Sequence, residues 1–401
     1  MKKDITSVGK NQETIFLSDK KINGKERPWK DKKESGEYLS SSYGRLAMRE
    51  DALTEAVKRD IKVVEALGDM DMRYQLDEDI FKREKYKIYW SKRSECTCGC
   101  ATYLEFRVML DGSKKLHNAH FCQVRLCPVC GWRRELKIKA QLSKVIDELE
   151  LEKYRFIMLT LTCKNVTGDE LPATLDAMFK AFHRMFRLEK IKDSIAGHFR
   201  ALEITHDTEK KITKKMYREK KEYYDRQGLK VGDDNPNFDM YHPHFHVMLA
   251  VSESYFKKDR GKYISHEGYQ AMWKQSLRVE YNPMVNVKAI KNKKGGSVKE
   301  AAKYTVKEAD YIIKEDKLLT DETVRTLDRA LRNRRLVAYG GIMKAIHKRL
   351  NLDEEVSADV NIDGEEESVQ EESWVIQGYQ WNVGFKNYVM VKETEERCGE
   401  G

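Results

Sequence analysis

The 401-residue chain lacks an apolar run of membrane-spanning length, and its first residues, MKKDITSVGKNQ, lack the apolar core of a secretion signal. Neither export nor membrane insertion is expected, and the expected location is the cytoplasm. In that reducing compartment the eight cysteines are read as metal ligands or thiols before disulfides. No internal repeat occurs, which rules out a repeat array. No H-E-x-x-H occurs either, which disfavours a zinc metalloprotease. Histidine is scarce, ten in all, yet three alternate within five residues: His242, His244 and His246 in YHPHFHVMLA.

Charge, by contrast, is abundant: 35% of residues carry it, for a formal net of +9. From Asn351 onward there are 14 Asp and Glu against 3 Lys and Arg, a net of −11, so residues 1–350 carry +20. A basic body with an acidic tail points to a polyanionic partner, nucleic acid first among them.

The chain divides by composition. Residues 1–44 are polar, with Gly24, Pro28 and a serine run, and are expected to form a flexible arm. Residues 45–152 combine helix formers with six of the eight cysteines, between Cys96 and Cys130. Residues 153–315 alternate strand and helix signals. YRFIMLTLTC (154–163), GHFRALEITHD (197–207), YHPHFHVMLAV (241–251) and MVNVKAI (284–290) read as strands. Helices are expected after the first, around YQAMWKQSL and at VKEAAKYTVKEADYIIK, and a hydrophilic insert spans 208–240. A basic helical region (316–350) and an acidic tail (351–401) complete the chain. The fold class expected is α+β, with a central antiparallel sheet flanked by helices and a cysteine-rich, zinc-binding subdomain before it.

In a strand, residues i, i+2 and i+4 share a face, so His242, His244 and His246 point together while Phe245, Val247 and Leu249 face a core. Converging neutral imidazoles suit a divalent metal. Glu203, in the neighbouring strand ALEITH, would complete a mixed N/O site compatible with Mn²⁺ or Mg²⁺. Downstream, in KEAAKYTVKEADY, Glu300 and Tyr304 are spaced i, i+4 and lie one turn apart on a helix face, with Lys307 on the same side and Tyr311 two turns on. A tyrosine, a carboxylate and a metal make a phosphoryl-transfer set, in which the phenol oxygen attacks and the carboxylate handles protons. Among the cysteines, Cys122, Cys127 and Cys130 form C-x4-C-x2-C, half of a zinc knuckle. The fourth ligand is one of Cys96, Cys98 and Cys100, with His120 a competitor. Arg125, Trp132, Arg133 and Arg134 beside the knuckle, and Lys303 and Lys307 beside the tyrosine, are expected to contact DNA phosphates or stack on a base.

Three motifs in this order, FIMLTLTCKNV, HPHFHVML and EAAKYTVKEADY, resemble those of the replication initiators of Gram-positive rolling-circle plasmids, members of the HUH endonuclease superfamily. The stretch CATYLEF…AHFCQVRLCPVCGWRRELK is similar to the family's cysteine-rich region, and the likeness covers roughly Cys96 to Tyr311. The arm, the 208–240 insert and the acidic tail lie outside it. The resemblance implies an HUH-like fold and nicking of one strand at a plasmid double-strand origin, with Tyr304 joined to the 5′ phosphate at a single-stranded nick site. Glu300 would activate water for the terminating cleavage, and a second nucleophilic role for Tyr311 is the lesser alternative. Aligned through YLEF, the resemblance favours Cys100 as the fourth zinc ligand. It implies a host helicase and DNA polymerase as partners. The competing functions are a non-catalytic zinc protein that binds nucleic acid and regulates transcription, and another HUH enzyme, a relaxase or a transposase.

Overall fold

The computed structural model describes residues 14–17, 21–22, 24–257, 261–290, 308–352 and 373–397. Two short strands, β1 (Lys21–Ile22) and β2 (Lys25–Glu26), precede a hairpin of long helices, α1 (Trp29–Leu67) and α2 (Met70–Gly99). Its turn is set by Leu-Gly-Asp. Gly68 takes the left-handed φ of 75° that closes α1, and Asp69 caps α2 by accepting the Met72 N–H at 3.0 Å. Next come β3 (Tyr103–Val108), β4 (Lys114–Ala119) and α3 (Pro128–Leu151).

The central unit opens with β5 (Arg155–Thr162), α4 (Leu171–Met185), α5 (Glu189–Ser194) and β6 (Gly197–His206). Two short helices follow, α6 (Lys214–Glu219) and α7 (Lys221–Arg226), then β7 (Tyr241–Val251), α8 (His266–Leu277) and β8 (Val285–Ala289). Beyond it lie α9 (Lys317–Leu331), β9 (Val337–Gly340), α10 (Gly341–Arg349) and the strands β10 (Ser373–Asn382) and β11 (Asn387–Arg397).

The central sheet is antiparallel throughout, in the order β8-β5-β7-β6-β9. One face carries Ile157, Leu159, Leu161, Leu202, Phe245, Val247 and Leu249, within one core with Leu175, Met178 and Phe182 of α4 and Trp273 of α8. Burying Phe245, Val247 and Leu249 stabilises β7 by roughly 1.5–3 kcal/mol per side chain. A one-residue slip would drive the histidines into this core, so their register is fixed. The opposite face is apolar over Phe156, Met158, Phe199, Ala201, Met248 and Ala250, which α3 and α10 cover through Val145, Ile146, Met343 and Ile346. Further along the same face the strands change character, to Thr160, Thr162, Glu203, His244 and His246. The expected α+β fold with an antiparallel sheet flanked by helices is the one the chain adopts.

The ends of the chain depart from expectation. Residues expected in a polar arm enter α1 at Trp29, which is buried against Trp132 and Phe121. Its inward face over 29–43 is built largely from Lys33, Gly36, Ser40 and Ser42, so no apolar periodicity announces it. The expected acidic tail supplies β10 and β11, which join β3 and β4 in a four-stranded sheet ordered β11-β10-β3-β4. Tyr388, fully buried, donates its hydroxyl to the Ala101 carbonyl at 2.6 Å. The basic region after residue 315 contains β9 as well as helices, and β9 extends the central sheet beside β6. The helix expected over Val298–Lys314 falls largely on residues 298–307, outside the described residues.

Candidate metal centres and active site

Strand pairing brings the first cluster together. Glu203 lies opposite His244 in the β6–β7 register, and His246 is two residues on along the same face. Glu203 Oε2 is 3.1 Å from His244 Nε2 and 2.6 Å from His246 Nε2, and the two Nε2 atoms are 3.1 Å apart. All three residues are buried. His244 Nδ1 lies 3.2 Å from the His242 carbonyl, and both His244 and His246 turn Nε2 toward Glu203. Burial pushes the Glu203 carboxyl up, but the hydrogen bonds and charges of His244 and His246 outweigh it and hold it well below the usual carboxylate range. The cluster thus presents one carboxylate and two imidazoles to a common point, a donor set suited to a cation.

His242, expected among the metal ligands, is not brought into this group. Its Nδ1 is 2.7 Å from Asn165 Oδ1, and its ring centroid is 5.5 Å from that of His244. Burial, then His244 and Lys220, push it down to about 4, so it is neutral near pH 7. It is a neighbour of the cluster, held by Asn165. That asparagine, just past β5 in LTCKNV, was missed from sequence, because one strand does not reveal which loop residue meets another strand's first histidine. Thr160 and Thr162, register partners of His246 and His244, were missed for the same reason.

The second cluster is Cys100, Cys122, Cys127 and Cys130. Cys100 ends α2, Cys122 follows β4, Cys127 sits at the N-cap of α3 and Cys130 in its first turn. The sulfurs are 3.6 Å apart for Cys100–Cys130 and Cys100–Cys127 and 3.7 Å for Cys122–Cys130, and all four lie within 4.8 Å. Contacts from Cys100, Cys122 and Cys127 pull the Cys130 thiol far below its usual range, while contacts from the other three thiols push Cys127 far above it. Four thiolates this close repel one another unless a cation sits among them. Cys96, Cys98 and His120 are exposed and outside the group, so of the alternatives left open by spacing Cys100 is the one brought in.

Of the arginines and tryptophan beside the knuckle, Trp132 and Arg133 are turned into the fold, while Arg125 and Arg134 are half-buried. Trp132 and Arg133 are buried, Trp132 edge-on to Trp29 at 4.8 Å and Arg133 with its guanidinium 4.1 Å from the Phe121 ring centre. Arg134 donates to the Arg125 and Val124 carbonyls at 2.7 and 3.3 Å, and Arg125 to the Arg334 carbonyl at 3.5 Å. These side chains knit α1, α3 and the cysteine loop together, because the knuckle sits at a junction of elements rather than on an open face. Tyr311 is fully buried and donates to the Leu126 carbonyl at 2.6 Å, the setting of a packing tyrosine rather than a second nucleophile. Glu300, Lys303, Tyr304 and Lys307 lie outside the described residues.

No described helix is long and apolar enough to cross a membrane. Residues 113–389 match the family described as Replication protein. The chain is 33% identical over 398 residues to Protein rep of Bacillus amyloliquefaciens, covering 94% of this chain and 97% of that protein. It is 35% identical over 315 residues to Protein rep of Streptococcus pneumoniae serotype 2, covering 77% and 87% respectively. A Bacillus sp. Protein rep is 36% identical over 294 residues, covering 68% and 85%. No solved structure matches the chain. The matched span holds Glu203, His244, His246, Glu300 and Tyr304, and runs past the acidic stretch into β11. The chain belongs to the Replication protein family, the Rep initiators.

Proposed function

We propose that the chain initiates plasmid replication by nicking one strand at a double-strand origin, with Tyr304 as nucleophile. The observation that carries this reading is the convergence of Glu203, His244 and His246 on one point, in a chain of the Rep family. Glu203, His244 and His246, with donor atoms 2.6–3.1 Å apart, would hold a divalent ion, Mn²⁺ or Mg²⁺, through one carboxylate and two imidazoles. When bound, the ion supplies Lewis-acid polarisation of a phosphodiester. The Tyr304 oxygen gives up its phenolic proton and attacks phosphorus, the P–O3′ bond breaks, and the departing 3′ oxygen takes up a proton as the chain becomes joined to the 5′ phosphate, with no net gain or loss of protons. Lys303 and Lys307, on either side of the tyrosine in sequence, balance phosphate charge. Incubating the protein with supercoiled plasmid bearing its origin tests this reading. Open circles should form only with the divalent ion, and binding without cleavage under all conditions would instead indicate a non-catalytic regulator.

Termination separates Glu300 from Tyr304. A helix-surface carboxylate with no function changes little, within about 0.5 kcal/mol. As the base that activates water, Glu300 is dispensable for the first cleavage and needed for release. Glu300→Gln should therefore nick with modest loss and resolve the covalent complex roughly 10²-fold more slowly. A plasmid with two origin copies reads both steps, and equal loss in both would assign Glu300 to metal binding or packing.

The four-cysteine cluster is proposed to hold a structural Zn²⁺. Tetrahedral Zn–S bonds of about 2.3 Å place sulfurs about 3.8 Å apart, close to the 3.6–3.7 Å between sulfurs in the fold. Because the site joins the end of α2, the β3–β4 sheet and the start of α3, losing the ion should loosen all three. Cys127→Ser should abolish zinc retention and lower the melting temperature by roughly 10 °C or more. Cys98→Ser, on the exposed end of α2, should do neither. Metal-free protein of unchanged melting temperature would refute the assignment.

A further inference from the structure

The insert between β6 and β7 is built onto the triad's end of the sheet. Thr205 pairs with His242 and His206 with Tyr241, so the chain leaves β6 three residues beyond Glu203 and returns three residues before His244. It is well anchored: Ile212, Tyr224, Asn235 and Asn237 are buried. Asn237 Nδ2 donates to the Tyr223 hydroxyl at 3.2 Å, and Asn165 Nδ2 donates to Asn237 Oδ1 at 2.9 Å. Asn165 Oδ1 in turn lies 2.7 Å from His242 Nδ1. A continuous chain of polar contacts therefore ties the insert to the strand that bears the ligands.

The outer side of the insert is strongly cationic. Residues 210–221 contain seven Lys and Arg and one Glu. Lys210, Lys211 and Lys221 pair with Asp316, Asp234 and Asp225. Lys214, Lys215, Arg218 and Lys220 are exposed and have no ion pair among the described residues. An ordinary solvated helix surface intersperses its signs, as α2 does with its Arg73–Asp77, Lys82–Glu78 and Arg83–Asp79 pairs. Four cations within seven residues, with no ion pair among the described residues and on an insert tied to the strand that bears His244 and His246, are a different arrangement. They concentrate positive potential where a phosphate chain would approach.

We propose that residues 208–240 form a phosphate-binding shelf for single-stranded DNA leading to the triad, with Lys214, Lys215, Arg218 and Lys220 on the backbone. This rests on the reading of the triad as a DNA-cleaving centre. The ligands are buried, so a scissile phosphate reaches them on an unpaired strand, and the shelf beside them meets that strand first. Contacts to phosphate position the strand and carry no base preference.

The test uses the full chain, without divalent metal, binding fluorescent oligo-dT across a salt series. Each phosphate contact on a single strand contributes about 0.7 to the slope of log affinity against log salt. The variant Lys214→Gln/Lys215→Gln/Arg218→Gln/Lys220→Gln should flatten that slope by about 2–3 and weaken binding at least about tenfold at physiological salt. Lys→Arg at 214, 215 and 220 keeps the charge and should bind as wild type, which separates charge loss from misfolding. Binding to a duplex oligonucleotide should change less than about twofold. An unchanged slope, or equal loss on duplex and single strand, would overturn the shelf. No cleavage enters this measurement, so a failure of nicking leaves its outcome intact, and normal nicking with an unchanged slope would sink only the shelf.

Discussion

Tyr304→Phe is expected to yield no covalent protein–DNA adduct while leaving origin binding within about 0.5 kcal/mol of wild type. The substitution removes one oxygen, the atom that would form the bond to phosphorus, and keeps the aromatic ring. Tyr311, the other tyrosine of the motif, is not poised to replace it. Tyr311 is buried with its hydroxyl committed to the Leu126 carbonyl, and bringing it to a phosphate would require unpacking the junction with α3. The adduct is read on a denaturing gel with labelled origin DNA. A normal yield from the Phe variant would remove Tyr304 from the mechanism.

Loss of a triad ligand should be nearly as severe. His244→Ala and His246→Ala each delete an Nε2 that lies about 3 Å from its partners, and Glu203→Ala deletes the only carboxylate of the group. Each should cut metal-dependent nicking roughly 10²-fold or more, the equivalent of several kcal/mol of charge stabilisation. His242→Ala should be milder, because its Nδ1 faces Asn165 and its ring lies to the side of the cluster. A titration of nicking against Mn²⁺ distinguishes the two classes. Wild-type metal dependence in either His244→Ala or His246→Ala would refute the ligand set.

What was legible in the sequence was what repeats locally. The two-residue alternation of HPHFHVML announces both a strand and a shared face, and β7 spans Tyr241–Val251 as its pattern implies. Glu203 was within reach because ALEITH is itself a strand signal, although only the register sets it opposite His244. The closure of the cysteine site by Cys100 depended on family likeness, since spacing alone left three cysteines and a histidine in contention. Hidden from sequence was everything made by distant segments. The tail strands β10 and β11 complete a sheet begun more than 250 residues earlier, and a register shift at Gly378/Tyr379 spaces the buried Ile376, Tyr379 and Trp381 three and then two residues apart, so no plain alternation announces the strand. Trp132 and Arg133 looked like DNA contacts because a knuckle flanked by cations reads as a surface. The burial of Trp29 beside them could not be seen from the polar sequence around it.

The central claim is that Tyr304 becomes joined to a 5′ phosphate in a metal-dependent reaction, and mapping the adduct tests it most directly. Origin DNA labelled at the scissile phosphate, which stays with the strand on the 3′ side of the expected break, is incubated with Mn²⁺ and the full chain, then digested with nuclease and trypsin. Lys303 and Lys307 bracket the tyrosine, so the account predicts the nucleotide on the tryptic peptide Tyr-Thr-Val-Lys, residues 304–307, and none when Mn²⁺ is omitted. A nucleotide on the peptide that carries Tyr311, or efficient nicking with no peptide labelled, would contradict it.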